Sequence, residues 1–186
     1  MHHADHVALI RAGVEAHPGT WADLGSGRGA FTLALADLLG RIGGPAGTIL
    51  SIDLDAGALR SQEEAMRRRF PAAQVVYRRA DFTDPAARGI TPASLDGLLM
   101  ANSLHFIRSP RSALVDLVAL LKPGGRFVLV EYDTDSGTTW VPYPLSFATW
   151  ERFSAEVGLQ ATHLVHRVPS RFLGHIYSAA SDAPGR

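Results

Sequence analysis

An α/β architecture, with a mostly parallel sheet and helices on both of its faces, is the fold class predicted by the 186-residue sequence. Three observations predict it. Short β-branched or aliphatic runs alternate with longer stretches of helical periodicity, the pattern of repeated strand–helix–strand units. The run ending at Asp23 turns through alternate glycines, Gly25, Gly27 and Gly29, straight into the apolar-spaced segment Phe31–Leu39. Polar residues also gather where successive runs end, at Asp23, Asp53, Asp81, Asn102 and Glu131. In an open parallel sheet, ligands lie beyond those carboxyl ends.

Each element has its own signal. Val7, Leu9, Ile10 and Val14 recur at roughly helical spacing, so Asp5–Ala16 is expected to form a short helix stopped by His17-Pro-Gly19. After the strand–glycine–helix unit, Gly40–Gly47 reads as a loop and Thr48–Asp53 as a second buried strand. Asp55 suits the N-cap of a helix running through Arg69, with Arg67, Arg68 and Arg69 in the last turn where cations complement the dipole. Gln74–Arg78 is the third strand and delivers Asp81 and Phe82. Leu95–Met100 is the fourth and delivers Asn102 to His105. A helix over Pro110–Leu121 and a turn at Lys122–Gly125 precede the fifth strand, Arg126–Tyr132. Beyond a polar loop from Asp133 to Pro144, Leu145–Val157 reads as a helix closed by Gly158. Gln160–Val168 and Gly174–Ala180 form a terminal antiparallel pair, and Ser181–Arg186 is expected to fray. No repeat or linker divides the chain, so residues 1–186 are expected to form one domain with a short N-terminal helix segment over 1–18.

Composition removes several classes of chemistry. The chain has no cysteine, which excludes disulfides, thiolate zinc sites and cysteine nucleophiles. Lys and Arg number 18 and Asp and Glu 18, a zero formal charge that argues against a broad electrostatic grip on nucleic acid. No apolar run approaches the roughly 18 residues of a membrane span, and the N-terminal MHHADHVAL is too short and polar for a signal peptide. The expectation is a soluble cytoplasmic protein.

The glycine segment points to a ligand site, because a backbone without Cβ atoms lets a ligand lie against it and the first helical N–H groups face that ligand. Gly25, Gly27 and Ala30 also satisfy the dinucleotide pattern G-x-G-x-x-A, so a nicotinamide cofactor is one reading. Asp53, 24 residues after Gly29, is placed to accept hydrogen bonds from both hydroxyls of a ribose. Its structural alternative, a helix N-cap, is better filled by Asp55.

Taken in order, Asp23-Leu-Gly-Ser-Gly-Arg-Gly29, Ile52-Asp53-Leu-Asp55, Ala80-Asp81-Phe82, Leu95-Asp96 through Leu104-His105-Phe106, and Leu121-Lys-Pro-Gly-Gly-Arg126 resemble the motifs of class I S-adenosylmethionine-dependent methyltransferases. The resemblance covers nearly the whole chain. It implies a Rossmann-like, doubly wound, seven-stranded sheet with a terminal antiparallel pair, and S-adenosylmethionine as cofactor. Gly25, Ser26 and Gly27 would lie against its methionine part, and Asp23 would hold its ammonium. Asp53 would bind the ribose diol, with Leu54 beside it. Asp81 would take the adenine amino group, Phe82 would donate a backbone N–H to the ring, and Asn102 would line the same site. Asp81 also fits a simple turn cap before Thr83-Asp84-Pro85. Chemistry disfavours the dinucleotide reading, since Asp23 repels a pyrophosphate and attracts an ammonium.

The acceptor is less legible. Asn102-Ser-Leu-His105 is not the Asn/Asp-Pro-Pro-aromatic segment of amino-directed nucleic-acid enzymes, and the sole lysine, Lys122, removes the set used for ribose oxygens. A nucleic-acid acceptor is therefore not expected. The segment is most similar to small-molecule enzymes of the quinone-biosynthesis type. His105 is the candidate general base, with a loop-bracing histidine as the alternative. Glu131 and Tyr132 are the next catalytic candidates. Trp140, Tyr143 and Trp150, within or beside residues 133–150, read either as a lid over the acceptor or as loop anchors, and Arg171 as a solvated turn residue. His2, His3 and His6 have a metal-like composition, but a chain terminus does not position ligands, so no metal is expected. His6 and its helix are expected to fold over the cofactor edge, leaving the acceptor site open or closed by a second subunit in a homodimer. A non-catalytic cofactor-binding or partner subunit and an NAD(P)-dependent oxidoreductase are the competing function classes.

Overall fold

The computed structural model describes residues 1–42 and 47–185. Its helices are α1 (His3–Val14), α2 (Ala30–Arg41), α3 (Ala56–Arg69), α4 (Pro85–Arg88), α5 (Arg111–Val118) and α6 (Phe147–Glu156), with a 3₁₀ turn at Leu104–Phe106. Its strands are β1 (Trp21–Leu24), β2 (Thr48–Asp53), β3 (Gln74–Arg79), β4 (Leu95–Ala101), β5 (Leu121–Tyr132), β6 (Gln160–Pro169) and β7 (His175–Asp182). They form one seven-stranded sheet in the order β3-β2-β1-β4-β5-β7-β6. The pairs β1–β2, β2–β3, β1–β4 and β4–β5 are parallel, and β7 pairs antiparallel with both β5 and β6. The expected seven-stranded sheet with its antiparallel end is the observed one.

Strand alternation divides the core between the two faces. Trp21, Leu99, Val128 and Val130 face α1 and α2, while Ala22, Leu24, Leu98, Phe127 and Leu129 face α5 and α6. Because both faces are covered, β1 is buried throughout and reads as a continuous apolar run apart from Asp23. β1 lies between β2 and β4, where the chain order reverses, and the carboxyl ends of these strands open there.

Boundaries moved where tertiary contacts outweigh local signals. α1 starts earlier than expected, because His2 and Asp5 form a capping box in which Asp5 Oδ2 accepts the His2 N–H at 2.7 Å. α2 extends through Arg41, past the glycine expected to open the loop. Residues 43–46 of that expected loop lie outside the described residues. Lys122–Gly125 is not a free turn but part of β5, with a register shift between Leu95 and Gly97. The expected frayed tail is docked on this same segment through Pro184, while Arg186 lies outside the described residues. Ser181 and Asp182 belong to β7, Gly124 N donates to Ala183 O at 3.2 Å, and Ala183 N donates to Gly125 O at 2.8 Å. Trp150 is fully buried in α6 against Phe127, ring centroids 5.5 Å apart, so it belongs to the core and not to a lid. Trp140, in contrast, is 75% exposed.

Candidate functional site

The glycine segment is tied to the end of β2. Gly25 N and Ser26 N both donate to Ile52 O, at 2.9 and 3.1 Å, and Gly27 N donates to Asp53 Oδ2 at 2.7 Å. Asp53 Oδ1 accepts the Asp55 N–H at 2.8 Å. Asp55, as expected, caps α3 by accepting from Gly57 N and Ala58 N. Each Asp53 oxygen thus holds one backbone N–H, and a carboxylate has about four acceptor positions, so capacity remains for a diol. The glycines differ in purpose. A Cβ on Gly25 would fall 2.4 Å from Ser103 Cβ, so Gly25 lets the β4 loop close against β1. A Cβ on Gly27 would meet nothing within 4 Å, and its φ of +53° leaves the backbone facing open space. Of the two glycines expected to accommodate a ligand, Gly27 has the open side.

Behind the loop runs a buried polar network. Thr32 Oγ1 in the first turn of α2 donates to Asp23 Oδ2 at 2.6 Å, and Gln62 Nε2 of α3 donates to Thr32. Ser51 Oγ lies 2.7 Å from Gln62 Oε1 and 2.8 Å from Ser26 Oγ. Burial pushes the Asp23 carboxyl up to about 7, against the lowering effect of the Thr32 hydroxyl, and nearby Asp53 raises it further. Asp23 is therefore a buried acid with little compensating charge. Sequence reasoning found Asp23 and Ser26 but not Thr32, Ser51 or Gln62. A polar residue inside the charged helix Ala56–Arg69 carries no mark that its side chain points inward.

Beyond β2, after the end of β3, Asp81 is exposed and its Oδ1 accepts from Thr83 N at 2.8 Å and Thr83 Oγ1 at 2.7 Å, the turn-capping alternative. Its Oδ2 takes no hydrogen bond among the described residues. Neither does the Phe82 N–H, while Phe82 O accepts from Arg88. Leu54 is 63% exposed beside Asp53, an apolar side chain with nothing covering it. Asn102, directly after β4, lies in the left-handed region, φ +53°, and its buried Oδ1 has no partner among the described residues. Of these groups only Asn102 Oδ1 is a buried acceptor left without a donor, and a ligand donor would satisfy it.

The expected catalytic residues converge. His105, 3% exposed on the 3₁₀ turn after β4, places Nδ1 at 2.9 and 2.8 Å from the two carboxylate oxygens of fully buried Glu131 on β5. Glu131 Oε1 also accepts the Tyr132 N–H at 2.8 Å. An ionised carboxylate only accepts, so in this geometry His105 Nδ1 is the donor to Glu131. The Tyr132 ring lies 6.3 Å from the His105 ring, and burial, reinforced by Glu131, raises the Tyr132 phenol so that it keeps its proton. Tyr143 N donates to His105 O at 3.0 Å, tying the loop after β5 to this turn. The N-terminal histidines are engaged away from this pair: His3 Nε2 pairs with Asp37 Oδ2 at 3.0 Å and His6 meets the Phe31 ring edge-on, with centroids 4.9 Å apart. Among the described residues no helix is long and apolar enough to cross a membrane.

Known proteins of similar sequence or fold are consistent in kind. The chain is similar to the lovastatin diketide synthase lovF of Aspergillus terreus, 33% identical over 131 residues, which is 69% of this chain but 5% of that protein. In fold it is similar to the CurJ carbon methyltransferase, with TM-score 0.72 at 22% identity over 91% of this chain and 50% of that one. The YcgJ protein from Bacillus subtilis superposes over the full length of both chains, with TM-score 0.78 at 12% identity. The chain thus spans a small part of the curated relative and half of the CurJ structure. A family model described as a methyltransferase domain matches residues 22–127, from β1 through the start of β5, which is the stretch that builds the glycine loop, Asp53, Asp81 and His105. With that match over more than half of its length, the chain belongs to the methyltransferase-domain family.

Proposed function

We propose that this methyltransferase uses S-adenosylmethionine to methylate an acidic carbon of a small-molecule acceptor. The observation that carries the reading is the buried His105–Glu131 pair at the ends of β4 and β5. The residues fit the cofactor. Among the described residues Gly27 opens on free space, the Phe82 N–H takes no acceptor, and Asn102 Oδ1 is a buried acceptor without a donor. When bound, S-adenosylmethionine supplies a methyl group on a sulfonium, an electrophile that needs no further activation.

The chain's own residues do the rest. Asp23 and Asn102 Oδ1 hold the ammonium, with Gly25, Ser26 and Gly27 against the methionine part. Asp53 takes the ribose diol, Leu54 covers the adenine, and Asp81 and the Phe82 N–H read its edge. His105 Nε2 removes the proton from the acceptor carbon. Glu131 holds Nδ1–H and stabilises the imidazolium that forms. Tyr132, kept protonated, donates to the oxygen on which negative charge develops. Burial of the pair excludes water from the proton transfer.

Carbon is favoured over oxygen or nitrogen by the name of the CurJ carbon methyltransferase and by the polyketide-synthase relative. A histidine base held by a buried carboxylate suits a carbon acid flanked by carbonyls, because that proton is acidic enough for a positioned side chain to remove. The quinone-biosynthesis-like branch remains compatible and rests on Leu104-His105-Phe106 alone. Pairing of two copies over the acceptor mouth belongs to the same proposal, supported by the exposure of Phe106, Trp140 and Tyr143, and sedimentation velocity tests it.

The deciding experiment is hydrogen–deuterium exchange at the central carbon of ethyl acetoacetate, followed by NMR, with S-adenosylhomocysteine present. The parent should accelerate exchange and His105→Ala should not. Methylation confined to oxygen when S-adenosylmethionine is supplied would overturn the carbon assignment.

A further inference from the structure

Exposed large apolar side chains are costly unless something covers them, and contiguous ones mark binding surfaces. One such group lies beside the dyad. A cavity of about 490 Å³ opens between the start of α1, the ends of β4 and β5, and the β6–β7 turn. Asn102 and Tyr132 form its wall nearest His105, while Met1, Pro169, Phe172 and Ile176 give it an apolar side. Arg171 and Asp5 also line it, as its charged groups. Phe172 is 51% exposed although its backbone is held in place. Ser170 N donates to Gly174 O at 2.8 Å and Phe172 N donates to Ser170 Oγ at 3.2 Å, so the turn is closed and the Phe172 backbone fixed. The ring meets Tyr132 edge-on, with centroids 5.8 Å apart, and Tyr132 in turn approaches His105. An aromatic path therefore leads from the base into the cavity.

We propose that Phe172 is a specificity-determining residue, and that the acceptor is amphipathic, with its reacting carbonyl end at Tyr132 and His105 and an apolar tail lying along Phe172, Ile176 and Pro169. This rests on the carbon-acceptor reading for its head group, but the tail site stands on the cavity. Phe106 also neighbours His105, with ring centroids 4.4 Å apart, and is 63% exposed, so it marks the competing site for the tail.

The test is calorimetric binding of methyl, butyl and octyl acetoacetate to the parent, Phe172→Ala, Phe172→Leu and Phe106→Ala, with S-adenosylhomocysteine present. Affinity for the parent should rise by about fourfold for each methylene that enters the cavity. Phe172→Ala should flatten that dependence, Phe172→Leu should restore most of it, and Phe106→Ala should leave it intact. A parent without chain-length dependence, or a dependence lost in Phe106→Ala and kept in Phe172→Ala, overturns the proposal. Chain-length-dependent binding without methylation would uphold the tail site and sink the carbon-acceptor reading. Methylation at a rate and affinity indifferent to chain length would do the reverse.

Discussion

Burial leaves Asp23 with the Thr32 hydroxyl as its partner and pushes its carboxyl up to about 7, from an ordinary value of 3.8. Between those values the folded protein holds a proton that the unfolded chain has released, so stability falls as pH rises from 3.8 to about 7 and is level above. The shift corresponds to roughly 4 kcal/mol. Asp23→Asn should therefore stabilise the ligand-free protein at pH 8, as read by urea unfolding, and leave it unchanged near pH 4. An ammonium favours the ionised carboxylate, so S-adenosylhomocysteine affinity should rise about tenfold from pH 6 to pH 8 and Asp23→Asn should lose that rise. A pH-independent affinity in the parent would remove Asp23 from the ammonium site. At the dyad, His105→Ala should leave cofactor affinity nearly unchanged and lower turnover by about 10²–10⁴. Single-turnover rate against pH checks this, because a bracing histidine would cost stability while the rate per folded molecule stayed the same.

At the scale of elements, the glycine loop separates folding from binding within three residues. Gly25→Ala adds a Cβ 2.4 Å from Ser103 Cβ at φ +73°, a clash between side chains packed from two strand ends. It should cost about 2–4 kcal/mol from overpacking and left-handed backbone together. Gly27→Ala has space for its Cβ and should cost only the left-handed penalty, about 1–2 kcal/mol. Ligand affinity should nevertheless fall at least tenfold in Gly27→Ala, since its methyl occupies the open side. Thermal melts with and without S-adenosylhomocysteine distinguish the two. Equal loss of ligand response in a stable Gly25→Ala protein and none in Gly27→Ala would place the ligand elsewhere. The α6 helix is held by Trp150, buried against Phe127 and Phe153. Trp150→Ala should destabilise by about 3–5 kcal/mol without changing cofactor affinity.

For the whole molecule, a ligand that bridges the ends of β1, β2 and β4 should stabilise all of them together. At a hundredfold excess over its dissociation constant, S-adenosylhomocysteine should add about 2.7 kcal/mol. For a domain of this size that raises the melting temperature by about 5–10 °C. NAD should give no shift. A shift with NAD and none with S-adenosylhomocysteine would revive the dinucleotide reading.

The order of strands and helices, the glycine loop, Asp53 at the end of β2 and Asp55 at the N-cap of α3 were all legible in the sequence. Those signals are local: periodicity, β-branching, capping preference and the freedom of a residue without Cβ act within a few positions along the chain. The candidate residues Asp23, Asp81, Phe82, Asn102, His105, Glu131 and Tyr132 were legible for a related reason, since strand ends are where an open sheet presents polar groups. Tertiary structure alone decided which of them touch. That His105 and Glu131 form one buried pair depends on β4 and β5 being neighbours in register. That Gln62 completes a network with Thr32 and Ser51 depends on the angle at which α3 crosses the sheet. The fate of Trp150, the docking of Ala183 on Gly125, and the cavity beside Phe172 likewise come from contacts between segments distant in sequence. Such contacts are set by the packing of both sheet faces at once, and no short stretch of residues encodes them.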